Sequence, residues 1–193
     1  MPLRDRLEQS RFRGLLWVSL VLGQRRRAEA LVRRRLDRHP GDPHALATRA
    51  HLRLDAGDPA GAIAALEHLV AQAPQTAQAW FNLGFLHEAA GRIAQAEAAF
   101  RRATEIAPGL DQAWYGLGLC LIRLGRLDEA VQALHRNTAL QPMNPFGWYQ
   151  LAHVHLERQE PEEARRILRH LRRFEPRVAA QLERETGLGG AAA

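Results

Sequence analysis

Prolines recur at Pro40, Pro74, Pro108, Pro142 and Pro176, always 34 residues apart. Ala28, Ala62, Ala96, Ala130 and Ala164 keep the same separation, as do Gly23, Gly57, Gly91 and Gly125, with Gln159 in the fifth place. Three series in one register make the chain an array of repeated units rather than a single irregular domain. The frame gives units 9–42, 43–76, 77–110, 111–144 and 145–178, preceded by a lead-in of residues 1–8. Within 77–110 the order is Trp80-x2-Leu83-Gly84, then Ala96-x3-Phe100, then Pro108. Apolar residues fall at helical spacing on both sides of Gly91, which predicts two helices joined by a tight turn.

Each landmark has a physical task. Glycine after the first helix can adopt the left-handed conformation that a sharp helix exit requires. Small Gly84, Gly118 and Ala152 in the first helix let the second approach closely, and Ala96, Ala130 and Ala164 answer from the other side. Proline after the second helix stops it and turns the chain into the next unit. Trp80, Trp114 and Trp148 are expected in the seam between helices, with Phe12 and Leu46 in the corresponding places of the first two units. An isolated pair cannot bury both apolar faces, so the units must stack.

At these residues the chain resembles the tetratricopeptide repeat family, whose signature is a Trp-x2-Leu-Gly helix, an Ala-x3-aromatic helix and a closing proline. The match is closest in 77–110 and good in 111–144. It weakens in 145–178, where Ala152 and Gln159 replace the two glycines, and in 43–76, where Leu46 and Arg49 replace Trp and Leu. Unit 9–42 keeps Phe12, Leu15, Gly23, Ala28 and Pro40. The resemblance implies an all-α, right-handed superhelical solenoid of five helix-turn-helix repeats that binds peptides or proteins. Residues 179–193 read as a short capping helix over 179–184 and a flexible tail from Gly187 onward.

The resemblance also implies a concave groove lined by the first helix of each unit. Carried onto this sequence, its central part comprises Phe81, Phe85 and Glu88, then Tyr115, Leu119 and Arg123, then Phe146, Tyr149 and His153. Phe85, Leu119 and Phe146 stand where the family usually has polar residues, and an apolar cluster of that kind marks a binding surface. In the first helix, Leu15, Leu16, Val18 and Leu22 are available for the core, which leaves Trp17, Leu20 and Val21 on the groove side. A terminal helix that is apolar nearly all round needs a cover, so self-association or a partner contact is expected there.

Other chemistry finds little support. Gly116-x-Gly118 lies inside a helix with no preceding strand, so it lacks the setting of a phosphate loop. His153 and His155 are two apart and point to different helix faces, whereas helical metal pairs use three- or four-residue spacing. His155, like His87, occupies a place that is usually aromatic in the family, which inter-helix packing explains. Cys120, the single cysteine, sits mid-helix among leucines and reads as a buried, inert thiol. No Ser/His/Asp set or catalytic carboxylate pair stands out, so neither an enzyme nor a cofactor is expected.

Charge is distributed unevenly. All 27 basic residues are arginine, which reads as the codon bias of a GC-rich genome, pointing to a bacterial source. Residues 1–42 carry 11 arginines against 5 acids, residues 43–157 carry 8 against 10, and residues 158–193 carry 8 against 6. Arg26, Arg33 and Arg34 share one helix face, and Arg165, Arg169, Arg172 and Arg173 form a stripe on another. A solvated outer face is the simplest reading of both. No aromatic residues interleave with them to stack bases, which argues against nucleic acid as a partner. The apolar run from Gly14 to Gly23 is too short to span a bilayer, where about 20 residues are needed, and it lacks the flanks of a secretory leader. A cytoplasmic interaction scaffold, adaptor or assembly factor is therefore expected. The alternatives are a non-catalytic subunit docked through its ends to a larger complex, and an RNA-binding solenoid.

Overall fold

The computed structural model of the protein describes residues 3–188, with side chains from residue 8 onward. These residues form eleven α-helices and no strand. They divide into two compact units, one running to Leu83 and the other from Gly84. Residues 189–193, most of the expected tail, lie outside the described residues.

The unit ending at Leu83 contains α1 (Leu3–Val21) packed on α2 (Arg25–Arg38), then α3 (Pro43–Asp55) packed on α4 (Pro59–Gln72), and the start of α5 (Ala77–Ala89). α1 takes in most of the lead-in expected before the first repeat. Asp42 starts α3. Its Oδ1 accepts from the Ala45 amide at 3.0 Å, while Oδ2 accepts from Arg35 Nε at 2.7 Å, with both side chains almost fully covered. Asp58 caps α4 in the same way, accepting from the Gly61 amide at 2.8 Å. Pro43 and Pro59 each occupy the first helical turn, where a missing amide hydrogen is tolerated.

The second unit holds the rest of α5, then α6 (Ile93–Ile106), α7 (Asp111–Arg123), α8 (Leu127–Leu140), α9 (Pro145–Glu157), α10 (Pro161–Phe174) and α11 (Pro176–Thr186). α7 packs on both α6 and α8, and α9 on both α8 and α10, which is the stacking the repeat demands. α11 takes the capping place, resting on α10 and α9 with Ala179 and Leu182 buried.

The periodic residues do the work expected of them. Ala28, Ala62, Ala96, Ala130 and Ala164 are fully buried. Gly23, Gly57, Gly91 and Gly125 have φ between 65° and 72°, and Gln159 adopts the same left-handed conformation at 60°. Gly84 and Gly116 clasp the buried Phe100 ring, to which a Cβ on either would come within 2.8 or 2.7 Å. Gly118 is likewise filled by Leu134. Both glycines of Gly116-x-Gly118 are thus packing residues inside α7.

The closing prolines stand two residues beyond α2, α4, α6, α8 and α10, and three of them have a second use. Trp80, Trp114 and Trp148 donate from Nε1 to the carbonyl oxygens of Pro74, Pro108 and Pro142 at 2.8, 2.9 and 2.9 Å. Each indole is half-buried, so it serves as a strap on the preceding turn as well as a seam filler.

The first helix requires a correction. Leu16 is buried, but Leu15, Val18 and Leu22, expected in the core, are 36%, 40% and 62% exposed. A repeat period assigns equal places equal surroundings, and the first pair has no preceding pair among the described residues to cover that face.

Candidate functional site

In the second unit, the first helices present a face away from the second helices, and side chains link that face from one helix to the next. Glu88 of α5 faces Arg123 of α7, with Nη1 3.4 Å from Oε1. Tyr115 of α7 lies beside Gln150 of α9. Tyr149 of α9 donates its hydroxyl hydrogen to Glu185 of α11, and His153 Nε2 lies 3.5 Å from the same carboxylate. The Tyr149 and His153 rings stack obliquely, with centroids 4.6 Å apart.

Between these links the surface is apolar. Phe85 and Phe146 are 57% and 64% exposed, while Leu119 and Tyr115 are half-buried. Burial pushes the Tyr115 hydroxyl above its ordinary pKa; the neighbouring Gln150 opposes this and the nearby Glu88 charge adds to it. The Tyr149 hydroxyl is also raised, first through its bond to Glu185. Glu185 is lowered by that same bond and by its bond to Gln181.

The expected site residues therefore do not form one uniformly open surface. Phe85, Leu119 and Phe146 remain open or partly open. Tyr149 and His153, placed in the groove from sequence, are engaged by the chain's own capping helix. Gln150, Gln181 and Glu185 were not among the expected residues. Gln150 lies outside the groove places, and the other two lie beyond the last full repeat, where the period assigns no partner. Phe81 is half-buried in the first unit.

In that first unit Trp17 and Val21 are 66% and 63% exposed, and Leu20 is 39% exposed. Leu16, Trp17 and Leu20 line a cavity of about 380 Å³ with Arg13, His44 and Thr48. Burial lowers the His44 pKa, and the neighbouring Arg13 charge lowers it further.

Other candidate groups have structural partners. Cys120 is completely buried, and burial pushes its thiol up to about 11, far from the range of a reactive thiolate. His155 is buried and its Nδ1 lies 2.7 Å from Glu160 Oε2. The α10 arginine stripe is partly neutralised by its own surroundings, since Arg165 pairs with Glu162 and Arg172 donates to Glu183 at 2.6 Å. Among the described residues no group of three or more His, Cys, Asp or Glu is placed to hold a metal ion. No helix among them is long and apolar enough to cross a membrane.

Known structures share this architecture. YrrB, described as a TPR protein with an unusual peptide-binding site, superposes with a TM-score of 0.78 at 16% identity, covering 94% of this chain and 97% of its own. MamA gives 0.75 at 19% identity, covering 95% and 96%. MamA from Desulfovibrio magneticus RS-1 gives 0.71 at 17% identity, covering 92% and 96%. No curated protein matches the chain in sequence. Residues 15–184 match the family of the cilia and flagella-associated protein 70 C-terminal domain, a tetratricopeptide-repeat domain, and with the repeat landmarks in place the chain belongs to that family.

Proposed function

We propose that this protein is an interaction adaptor or assembly factor that holds an apolar-anchored peptide, tail or helix of another protein on the first-helix face of its second unit. The exposure of Phe85 and Phe146 beside Tyr115 and Leu119 carries this reading, since large aromatic groups left in solvent mark a surface meant to be covered. Stacked helix pairs create extended binding surfaces of this kind, and the description of the structurally similar YrrB as having a peptide-binding site supports it. Glu88 and Arg123 flank the apolar patch as a polar rim. Trp17, Leu20 and Val21 form a second candidate contact, for a partner or another copy.

The test is to identify the partner by affinity purification and mass spectrometry, then measure its affinity for Phe85→Ala and Leu119→Ala. Truncating a central anchor typically costs at least about 2 kcal/mol of binding. Thermal melting measured in parallel separates lost binding from lost fold. Unchanged affinity in both folded variants would overturn groove recognition. Sedimentation of the wild type against a Trp17→Glu, Val21→Glu variant tests self-association through the first repeat.

A further inference from the structure

The face of α1 turned away from α3 is built like an internal repeat junction but is open among the described residues. At two junctions inside the stack, a glycine in the third or the sixth place of a repeat meets the second helix of the preceding one. A Cβ on Gly147, in the third place, would come within 2.1 Å of Asn137 Oδ1 of α8, and a Cβ on Gly116, in the sixth, within 2.7 Å of the Phe100 ring of α6. The seventh and tenth places are buried at those junctions, as Leu117 and Cys120 in α7 and Leu151 and Val154 in α9 show. In the first repeat these four places are Arg11, Gly14, Leu15 and Val18. A Cβ on Gly14 meets nothing within 4 Å, and Leu15 and Val18 are 36% and 40% exposed.

Charge states what fits there. Beside this face α1 and α2 enclose a cavity of about 260 Å³, floored by Leu15 and Leu31 and lined, among the described residues, by Arg11, Arg34 and Arg38 with the Glu8 carboxylate. α2 as a whole carries seven arginines and two acids. The chain's other end shows such a cover in place: α11 buries Ala179 and Leu182 while Glu183 accepts from Arg172 of the arginine-rich α10.

We propose that this face docks an acidic amphipathic helix of a partner protein, with a bulky apolar side chain over Gly14 and carboxylates against Arg11, Arg34 and Arg38. The face belongs to the first unit and the aromatic surface to the second, and the proposal does not depend on that surface binding anything. A second copy stacked head to tail is disfavoured, because the α9–α10 pair it would present is already covered by α11. Gly14 carries the sharpest consequence. Mid-helix glycine is poorer than alanine for the free protein, and its missing side chain leaves room for another helix to come close.

The probe is a labelled synthetic helix with one phenylalanine and two leucines on one face and glutamates on both flanks. Its counterparts have lysine for glutamate or alanine for phenylalanine, and binding is read by fluorescence anisotropy on the full chain. The glutamate peptide should bind, and both counterparts should bind at least about tenfold more weakly. Arg34→Glu, Arg38→Glu should weaken it by a similar factor with an unchanged circular dichroism spectrum. Gly14→Ala should raise the melting temperature of the free protein and still weaken the peptide, a combination that loss of fold cannot produce. Phe85→Ala, Phe146→Ala should leave the affinity unchanged. Equal binding of the glutamate and lysine peptides overturns the proposal, as does Gly14→Ala without effect on affinity. So does loss of binding through Phe85 and Phe146 instead, concentration-dependent dimerisation abolished by Val18→Glu, or sedimentation with phosphatidylserine vesicles while the peptide goes unbound.

Discussion

Trp114 Nε1 donates to the carbonyl oxygen of Pro108 at 2.9 Å, joining the first turn of α7 to the closing proline of the preceding repeat. The same bond recurs from Trp80 to Pro74 and from Trp148 to Pro142, so repeat tryptophan and closing proline act together. Proline contributes a carbonyl while its ring stops the helix, and the indole contributes a donor on an apolar plate.

Trp114→Phe keeps most of the plate and removes the donor. It should lower unfolding free energy by about 1 kcal/mol, the ordinary net worth of such a bond. Urea denaturation with an unchanged m-value checks this, and a loss below the error of the method would show that water replaces the indole fully.

Gln159 stands in the left-handed conformation that glycine occupies at the four equivalent turns. A side chain there costs about 1 kcal/mol or more. Gln159→Gly should therefore raise stability by about that amount, and Gly125→Ala should lower it comparably. Thermal melts of the two variants should move in opposite directions.

Turn positions of this kind were legible from sequence because the period survives even where glycine does not. The helix pairs, the buried alanines and the close-packing Gly84 and Gly118 were legible for the same reason, whereas Gly116, whose place is Thr48, Asn82 and Gln150 in other repeats, was not. What the period hides is the difference between the middle of an array and its ends. Leu15 and Val18 look like core because their counterparts Leu151 and Val154 are core, yet no preceding helix covers them among the described residues. Tyr149 and His153 look like open groove because the period places no residue opposite them, whereas Glu185 reaches them from the aperiodic cap.

Gly116→Ala tests the clasp. The added methyl would fall 2.7 Å from the Phe100 ring, which also packs tightly against Gly84, so the ring has little room to yield. Overpacking of this sort costs about 1–3 kcal/mol. Combining it with Phe100→Leu should destabilise less than the sum of the two single changes, since the smaller side chain makes room. A strictly additive double-mutant cycle would show that the strain escapes elsewhere.

Asp42 ties the first two repeats together through Arg35 and the Ala45 amide. Burial acts to raise its pKa, but the Ala45 amide and the Arg35 guanidinium outweigh it and hold the carboxyl below the usual range. A carboxyl lowered on folding contributes stability above its unfolded value, and that contribution is lost as pH falls through the folded value. Stability should therefore drop in acid below about pH 4. Asp42→Ala should flatten part of that dependence while costing about 3 kcal/mol at neutral pH, because it strands a covered guanidinium and removes a helix cap. Urea titrations at neutral and acid pH compare the two proteins.

Glu185 decides how far the proposed binding surface extends. Its carboxylate accepts from Tyr149 and faces His153, so a partner segment reaching α9 must displace it or stop short. Glu185→Ala frees both side chains without touching Phe85, Leu119 or Phe146. If the segment runs across α9, affinity for the purified partner should rise several-fold, because the contact to be broken is already absent. Tyr149→Phe provides the control: it loses the same bond to Glu185 but keeps the ring, and should shift affinity in the same direction. Unchanged affinity in both would confine the partner to α5 and α7 and the exposed Phe146. Weaker binding in Glu185→Ala would instead make the cap part of the binding surface, with Glu185 bonding to the partner directly.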